Sequence, residues 1–354
     1  MTAGWLETLR QRLFATWLDT AVTLVCFYIV WRISVPLVQW LLIDATWNGT
    51  SREDCKASGA CWVFIRARFG QFMYGQYPVD QRWRVDLLGL LIVLAGVLLS
   101  WRRLPDRRAV TAVILIVLPL LGIWLIRGGP ESGWGLKPVE TREWGGLMLT
   151  LFLALYAGLI AVPLGILLAL GRRSRLPLIR FASVVFIEFW RGVPIITVIF
   201  LASILLPLIM PTEFDVDRLA RAIIGLAFVI AAYMAEAVRG GLQALPEGQA
   251  EAAQALGLGY WRIQQKIVLP QALRIALPAM TNEFIALFKN TTLVLIVSLF
   301  DLLGIAQAAL ADPAWVGMNM EAYVFAGAIY WFSCFGLSQW SRLREKRLHT
   351  AHGR

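Results

Sequence analysis

A chain of 354 residues that is 58% hydrophobic, 16% charged and has a mean hydropathy of +0.66 is a polytopic membrane protein, not a soluble domain around one large core. The formal charge of +10 raises nucleic acid as a partner, but most of the arginines flank apolar segments. Membrane orientation accounts for them, and no nucleic acid is expected.

Residues 1–16 are polar and aromatic, with Arg10 and Arg12, and read as an interfacial segment. The apolar run that follows is too long for a cleavable signal peptide and lacks a small-residue cleavage site. It predicts a first span over 17–43, since roughly 20 helical residues cross the hydrocarbon. Arg32 falls near its middle, either facing substrate or a partner subunit or snorkelling to an interface. A polar loop, 44–85, carries Cys55 and Cys61, a candidate disulfide if the loop faces the periplasm. No metal is expected, because the only histidines, His349 and His352, lie in the tail. Cys26 and Cys334 lie inside apolar segments and read as packing residues.

Spans two and three are predicted over 86–101 and 109–126, joined by a hinge with Arg102, Arg103, Arg107 and Arg108. A loop of Pro, Gly and mixed charge, 127–143, separates an N-terminal extension (1–140) from the rest. Five further spans follow: 145–170, 181–209, 218–239, 277–303 and 322–341. A long loop, 240–276, interrupts them, and a basic tail, 342–354, ends the chain. Eight spans put both termini on one side. The Arg-rich loops at 102–108 and 171–180 and the tail make that side the cytoplasm, because 210–217 and 304–321 contain no Lys or Arg. The 240–276 loop then lies where ATP is available.

Within that loop, PEGQAEAAQALGLGYWRIQQKIVLP (246–270) is soluble in character. Pro246 and Glu247 suit a helix first turn, Ala250, Ala252, Ala253 and Ala255 are strong helix formers, and Gly257 fits the left-handed position that stops a helix. A short, narrow helix suits insertion into a groove on another protein; an ordinary Ala-rich surface helix is the alternative. Glu251-Ala252-Ala253, Gly257 and Ile267-x-Leu269-Pro270 resemble the EAA loop, EAA-x3-G-x9-I-x-LP, of ABC importer permeases. AYMAEAVRGGLQALPEGQAEAAQALG (232–257), NEFIALFKNTTLV (282–294) and FWRGVPIITVIF (189–200) resemble the polar amino-acid permeases of the histidine-permease type. The extra N-terminal spans resemble the long permeases of general L-amino-acid transport systems.

The resemblance implies an all-α membrane fold with a five-span core (141–341), a three-span extension and the bacterial inner membrane as its location. It implies that Glu251, Ala252, Ala253 and Gly257 belong to a coupling helix docked on a separate ATPase. No lysine here follows a glycine, so the chain has no G-K-[ST] phosphate loop of its own. ATP and Mg would be bound by two partner ATPase subunits, with no cofactor in this chain. A second, related permease chain in a heterodimer, a periplasmic amino-acid-binding protein, membrane lipid and an amino-acid substrate complete the implied partners.

Glu188 and Arg191 lie in the span 181–209, Glu236 in 218–239, and Asn282, Lys289, Thr291 and Thr292 in 277–303. A zwitterionic substrate needs a cation and an acid, and intramembrane charges face a cavity or each other, so they are candidates for the substrate path. Glu188 and Arg191 can instead pair at i,i+3, and Lys289–Thr292 can mark a helix break. A secondary transporter or channel for small polar solutes is the competing class, against which no inverted repeat is evident. A membrane enzyme would need a metal cluster or a nucleophile–His pair, and the two tail histidines supply neither.

Overall fold

Hydrocarbon cannot satisfy a backbone N–H or C=O, so an apolar run that crosses a membrane closes its own bonds as a helix. The computed structural model describes residues 7, 12–101, 106–129, 135–209 and 216–350, without the side chains of 107, 108, 206 and 346–350. Most of the 1–16 segment, the hinge residues Arg102 and Arg103, the side chains of Arg107 and Arg108, the acidic stretch 210–215, the side chain of His349, and His352 lie outside the described residues. The described elements are helices and turns: α1 (Trp17–Val38), α2 (Trp62–Tyr74), α3 (Trp83–Ser100), α4 (Arg107–Arg127), α5 (Gly146–Arg172), α6 (Pro177–Gly192), α7 (Ile195–Ile209), α8 (Arg218–Gln243), α9 (Gly248–Ala255), α10 (Leu269–Asn290), α11 (Leu302–Leu310) and α12 (Asn319–Thr350). Among the described residues seven helical segments are long and apolar enough to cross a membrane, and eight if α6 and α7 count as one bent span.

Three predicted boundaries change. The span expected at 181–209 is two helices bent by 103°. Pro194 has no N–H to donate and drives Val193 into extended backbone, φ −96° and ψ 131°, which ends α6. The loop expected at 240–276 is largely helical. A turn Tyr260–Ile263 and a π-turn Gln264–Val268 lead directly into α10, and a 3-10 turn Thr291–Val297 extends it, so the span expected at 277–303 begins earlier and ends earlier. Ile263, Val268, Ala272 and Ala276 form the buried stripe of this segment, while Arg262, Lys266 and Arg274 lie on its exposed face. Those three charges made an amphipathic helix read as a loop. Likewise α2 stands inside the predicted 44–85 loop, and α11 runs from the end of the predicted 277–303 span into 304–321.

The chain forms two compact units. One comprises Met1–Phe69 with Ala309–Phe325, the other Gly70–Ala308 with Ala326–Arg354. In the first, a capping box starts α1: Asp19 N–H donates to Thr16 Oγ1 at 3.1 Å, and Thr16 N–H donates to Asp19 Oδ2 at 3.2 Å. Cys55 and Cys61 are joined by a disulfide, with Cα atoms 5.4 Å apart. Cys61 N–H donates to the buried carboxylate of Glu321 at 3.0 Å. Arg68 pairs with Asp312, and Phe64 packs on Trp315 with ring centroids 5.6 Å apart.

The second unit is centred on α5 packed along α8, with α10 crossing α8. The contacts are made of small residues: Ala157, Ala161, Gly165 and Ala169 on α5, and Ala227, Ala231 and Ala235 on α8 are buried. Lipid supplies no hydrophobic drive between helices, so close backbone approach and dispersion hold them. A Cβ on Gly165 would come within 2.6 Å of Met234 Cβ, and one on Gly241 within 2.3 Å of the Ala272 carbonyl oxygen. Asp301 is buried at the start of α11, where Oδ1 accepts from Gly304 N–H at 2.9 Å and Oδ2 from Tyr330 Oη–H at 2.7 Å.

Candidate functional site

Helix α9 is eight residues long and ends by a glycine mechanism. Gly257 takes φ +79°, Leu258 N–H donates to Ala253 O at 3.2 Å, and Gly257 N–H donates to Gln254 O at 2.9 Å. These are the 6→1 and 5→2 bonds of a Schellman stop, which satisfy carbonyls the helix leaves open. Ala253 is buried, Ala250 and Leu258 pack on the core beside it, and Gln271 Nε2 donates to Gln249 Oε1 at 2.8 Å, tying α9 to α10. The opposite face is free: Glu251 and Ala252 are exposed, and Leu256 is 83% exposed. Tyr260 and Trp261, with ring centroids 5.4 Å apart, extend this exposed surface. The Glu-Ala-Ala spacing pointed to the helix; it carried no signal for Leu256, Tyr260 and Trp261, which only the chain reversal at Gly257 brings alongside.

Glu188, Arg191 and Glu236 meet in one cluster at the α5, α6 and α8 contacts. Glu236 accepts from Arg172 at 2.8 Å and from Arg239 at 2.7 Å, and Arg191 approaches it at 3.9 Å. Glu188 pairs with Arg172 at 3.1 Å. The alternative of an i,i+3 pair between Glu188 and Arg191 is therefore replaced by pairs between helices. Arg191 is in the last turn of α6, so its side chain leaves the helix axis toward α8, where it also lies over the Tyr233 ring at 5.6 Å. Glu236 is the centre of the cluster, and Arg172, read from sequence only as a topology signal, joins it to Glu188.

Beyond Arg191 a cavity of about 430 Å³ opens where the α6–α7 break meets α8 and α10. Arg191, Pro194, Tyr233, Glu283, Ala286 and Asn290 are among its lining residues. Glu283, Ala286 and Asn290 recur at helical spacing on one face of α10. Asn282 and Lys289 lie one step round that helix, on an exposed stripe, and are not in the lining. Thr291 is buried and donates to Phe288 O at 2.9 Å, and Thr292 donates to Lys289 O at 3.0 Å, so both hydroxyls bond the last turn of α10. Glu188 lies outside the lining as well. Of the six candidate path residues the cavity thus holds Arg191, and it adds Glu283, an acid the motif comparison passed over.

Residues 161–350 match the family model described as "Binding-protein-dependent transport system inner membrane component". The chain belongs to this family. It is 50% identical over 341 residues to the Escherichia coli "Inner membrane amino-acid ABC transporter permease protein YhdY", covering 96% of this chain and 92% of that one. It is 37% identical to the "Glutamate/glutamine/aspartate/asparagine transport system permease protein BztC" of Rhodobacter capsulatus, covering 99% of this chain and 95% of that one. A solved structure titled "Crystal structure of an amino acid ABC transporter with histidines" is 30% identical with a TM-score of 0.50, over 57% of this chain and 92% of that one.

As an ABC permease, the chain has its family match over the helices that carry both features above, α9 and the Arg191 cavity. Arg32 is exposed on α1, outside that match, and no part of α1 is buried. Among the described residues no group of three or more His, Cys, Asp or Glu is placed to hold a metal.

Proposed function

We propose that this chain is the permease subunit of an ATP-driven importer that takes up amino acids from the periplasm. In this reading α9 is the coupling helix. The observation that carries it is the free face of α9: Glu251, Ala252 and Leu256, beside Tyr260 and Trp261, on a helix stopped at Gly257 and anchored through Ala253. A narrow helix with one anchored and one open face is suited to a groove on a partner. Two ATP-binding subunits, a second related permease chain and a periplasmic binding protein would complete the machine, and ATP and Mg would bind only the ATPase. Both termini would be cytoplasmic, with 1–140 an N-terminal extension, 141–341 the core and 342–354 a basic tail. The Cys55–Cys61 loop would face the periplasm.

Substrate would pass the Arg191 cavity. Its volume of about 430 Å³ falls within the range of small-molecule sites, about 300–1,000 Å³. Arg191 offers a cation for a carboxylate, and Glu283 an acid for an ammonium group. Asn290 supplies an amide in the same lining. Asn282, Lys289, Thr291, Thr292 and Glu188 would shape the path from outside that lining.

The test is uptake of labelled amino acids into vesicles holding the purified complex, with ATP and with or without an uncoupler. ATP-dependent uptake that survives the uncoupler is expected. Uptake that needs no ATP and collapses with the uncoupler would replace the importer by a secondary transporter.

A further inference from the structure

A second cavity, of about 410 Å³, lies beside the ion-pair cluster, apart from the lining of the Arg191 cavity. Four arginines line it, Arg172, Arg173, Arg180 and Arg239, against one acid, Glu247. Two of the four are committed. Arg172 is held by Glu188 and Glu236, and Arg239 by Glu236 and Gln243. The other two are not. Arg173 donates one N–H to Leu242 O at 3.2 Å, and Arg180 makes no ion pair among the described residues. The cavity therefore presents two guanidinium groups in search of an anion, with planar forks suited to phosphate oxygens.

The surroundings identify what carries that anion. Arg180 is on α6, whose outer stripe, Leu178, Phe181, Val185 and Phe189, is exposed by 78%, 66%, 48% and 57%. These four recur at helical spacing as one stripe, and Arg180 stands on another side of α6, one turn from Leu176, which is 60% exposed, and next to Phe181 at the edge of the stripe. Arg172 ends the α5 span, and Arg239 lies near the end of α8. Cations at span ends with exposed apolar side chains next to them, here Leu176 and Phe181, match the two halves of an amphiphile, phosphate and acyl chain. We propose that Arg173 and Arg180 bind the phosphate of an anionic phospholipid, with its acyl chains along Leu176 and Phe181. Glu247 caps α9 and lines the same cavity, so an occupied site adjoins the coupling helix. Assignment to the cytoplasmic leaflet rests on the topology proposed above; the site itself does not.

The test uses the purified complex of this chain with its partner subunits, delipidated in detergent and titrated with phosphatidylglycerol, phosphatidylcholine or inorganic phosphate. Native mass spectrometry counts what is retained. Phosphatidylglycerol should be retained over phosphatidylcholine, and R173Q and R180Q should each weaken it roughly fivefold, the attraction of one basic side chain at an anionic surface. R175Q, which alters an exposed arginine outside the cavity lining, should leave retention unchanged. Equal retention by the R173Q/R180Q double variant overturns the site. So does equal retention of phosphatidylcholine, which would leave only the apolar stripe. Displacement of the lipid by equimolar inorganic phosphate would overturn the lipid in favour of a free anion. Retention is read without ATP, so a failure of coupling would strike the coupling reading alone.

Discussion

At the residue scale, two positions carry the most specific expectations. Gly257 has φ +79° with open space where a Cβ would stand, so a substitution there meets backbone strain and no clash. An L-residue in this conformation costs about 1–2 kcal/mol, and asparagine pays least. Gly257→Asp should insert normally yet lose the stimulation of ATPase by substrate-loaded binding protein, and Gly257→Asn should retain most of it. Wild-type stimulation in Gly257→Asp would count against the coupling role. The second position is Glu236, which accepts from Arg172 and Arg239 and lies near Arg191. A double-mutant cycle on thermal stability should give Arg172 and Glu236 a coupling of about 0.5–3 kcal/mol, as for members of one ion-pair network. The Glu188–Arg191 cycle should give a smaller coupling, because the two are joined only through Arg172 and Glu236. A Glu188–Arg191 coupling larger than that of Arg172 and Glu236 would contradict the pairing between helices. The charged residues themselves were legible in the sequence. Their partners were not, because Arg172 and Glu236 are 64 residues apart and meet only where α5 crosses α8.

At the element scale, local chemistry set some boundaries and hid others. The stop of α9 at Gly257 follows from one glycine and was legible as a helix stop, whereas the break between α6 and α7 follows from one proline inside what reads by hydropathy as a single span. The start of α10 was obscured, because Arg262, Lys266 and Arg274 on its exposed face outweighed the buried stripe in a reading by hydropathy. The packing of α5 on α8 supplies a test. Gly165→Val would place a Cβ 2.6 Å from Met234 Cβ and 2.9 Å from the Ala231 carbonyl oxygen. Overpacking of this kind costs about 1–3 kcal/mol. A fall in the Tm of the detergent-purified protein is therefore expected. Gly192→Val, at a position with nothing within 4 Å, should leave Tm nearly unchanged. Equal Tm values for the two variants would mean that α5 and α8 do not approach as closely as these distances require.

At the scale of the whole molecule, the first compact unit joins two segments far apart in the chain, 1–69 and 309–325. The disulfide between Cys55 and Cys61 closes a six-residue separation, and Glu321 reaches the Cys61 N–H from 260 residues away. A loop this short gains about 2 kcal/mol from its cross-link by chain entropy. Non-reducing peptide mapping of the intact protein should recover Cys55 and Cys61 as one linked pair. Replacing both with serine should raise proteolysis of the 44–61 loop while leaving ATP-driven uptake largely intact. Glu321→Ala should raise the same proteolysis with the disulfide present, because it leaves a buried N–H without its acceptor. Two free thiols in the mapped protein would remove the cross-link from this account.

By itself the sequence determined what acts over a few residues: apolar runs long enough to cross a bilayer, the arginines around them and the alanine-rich helix before Gly257. Each depends on bonds or solvation within a turn or two of chain. Only the tertiary structure decided that Glu283 shares a cavity with Arg191, that Glu188 turns to Arg172, and that Arg173 and Arg180 have no acid paired to them among the described residues. Those outcomes depend on the rotation and crossing of α5, α6, α8 and α10. Small-residue contacts such as Gly165 on Met234 set that crossing. An electrostatic interaction depends on distance through space, and the order of residues along the chain does not record it.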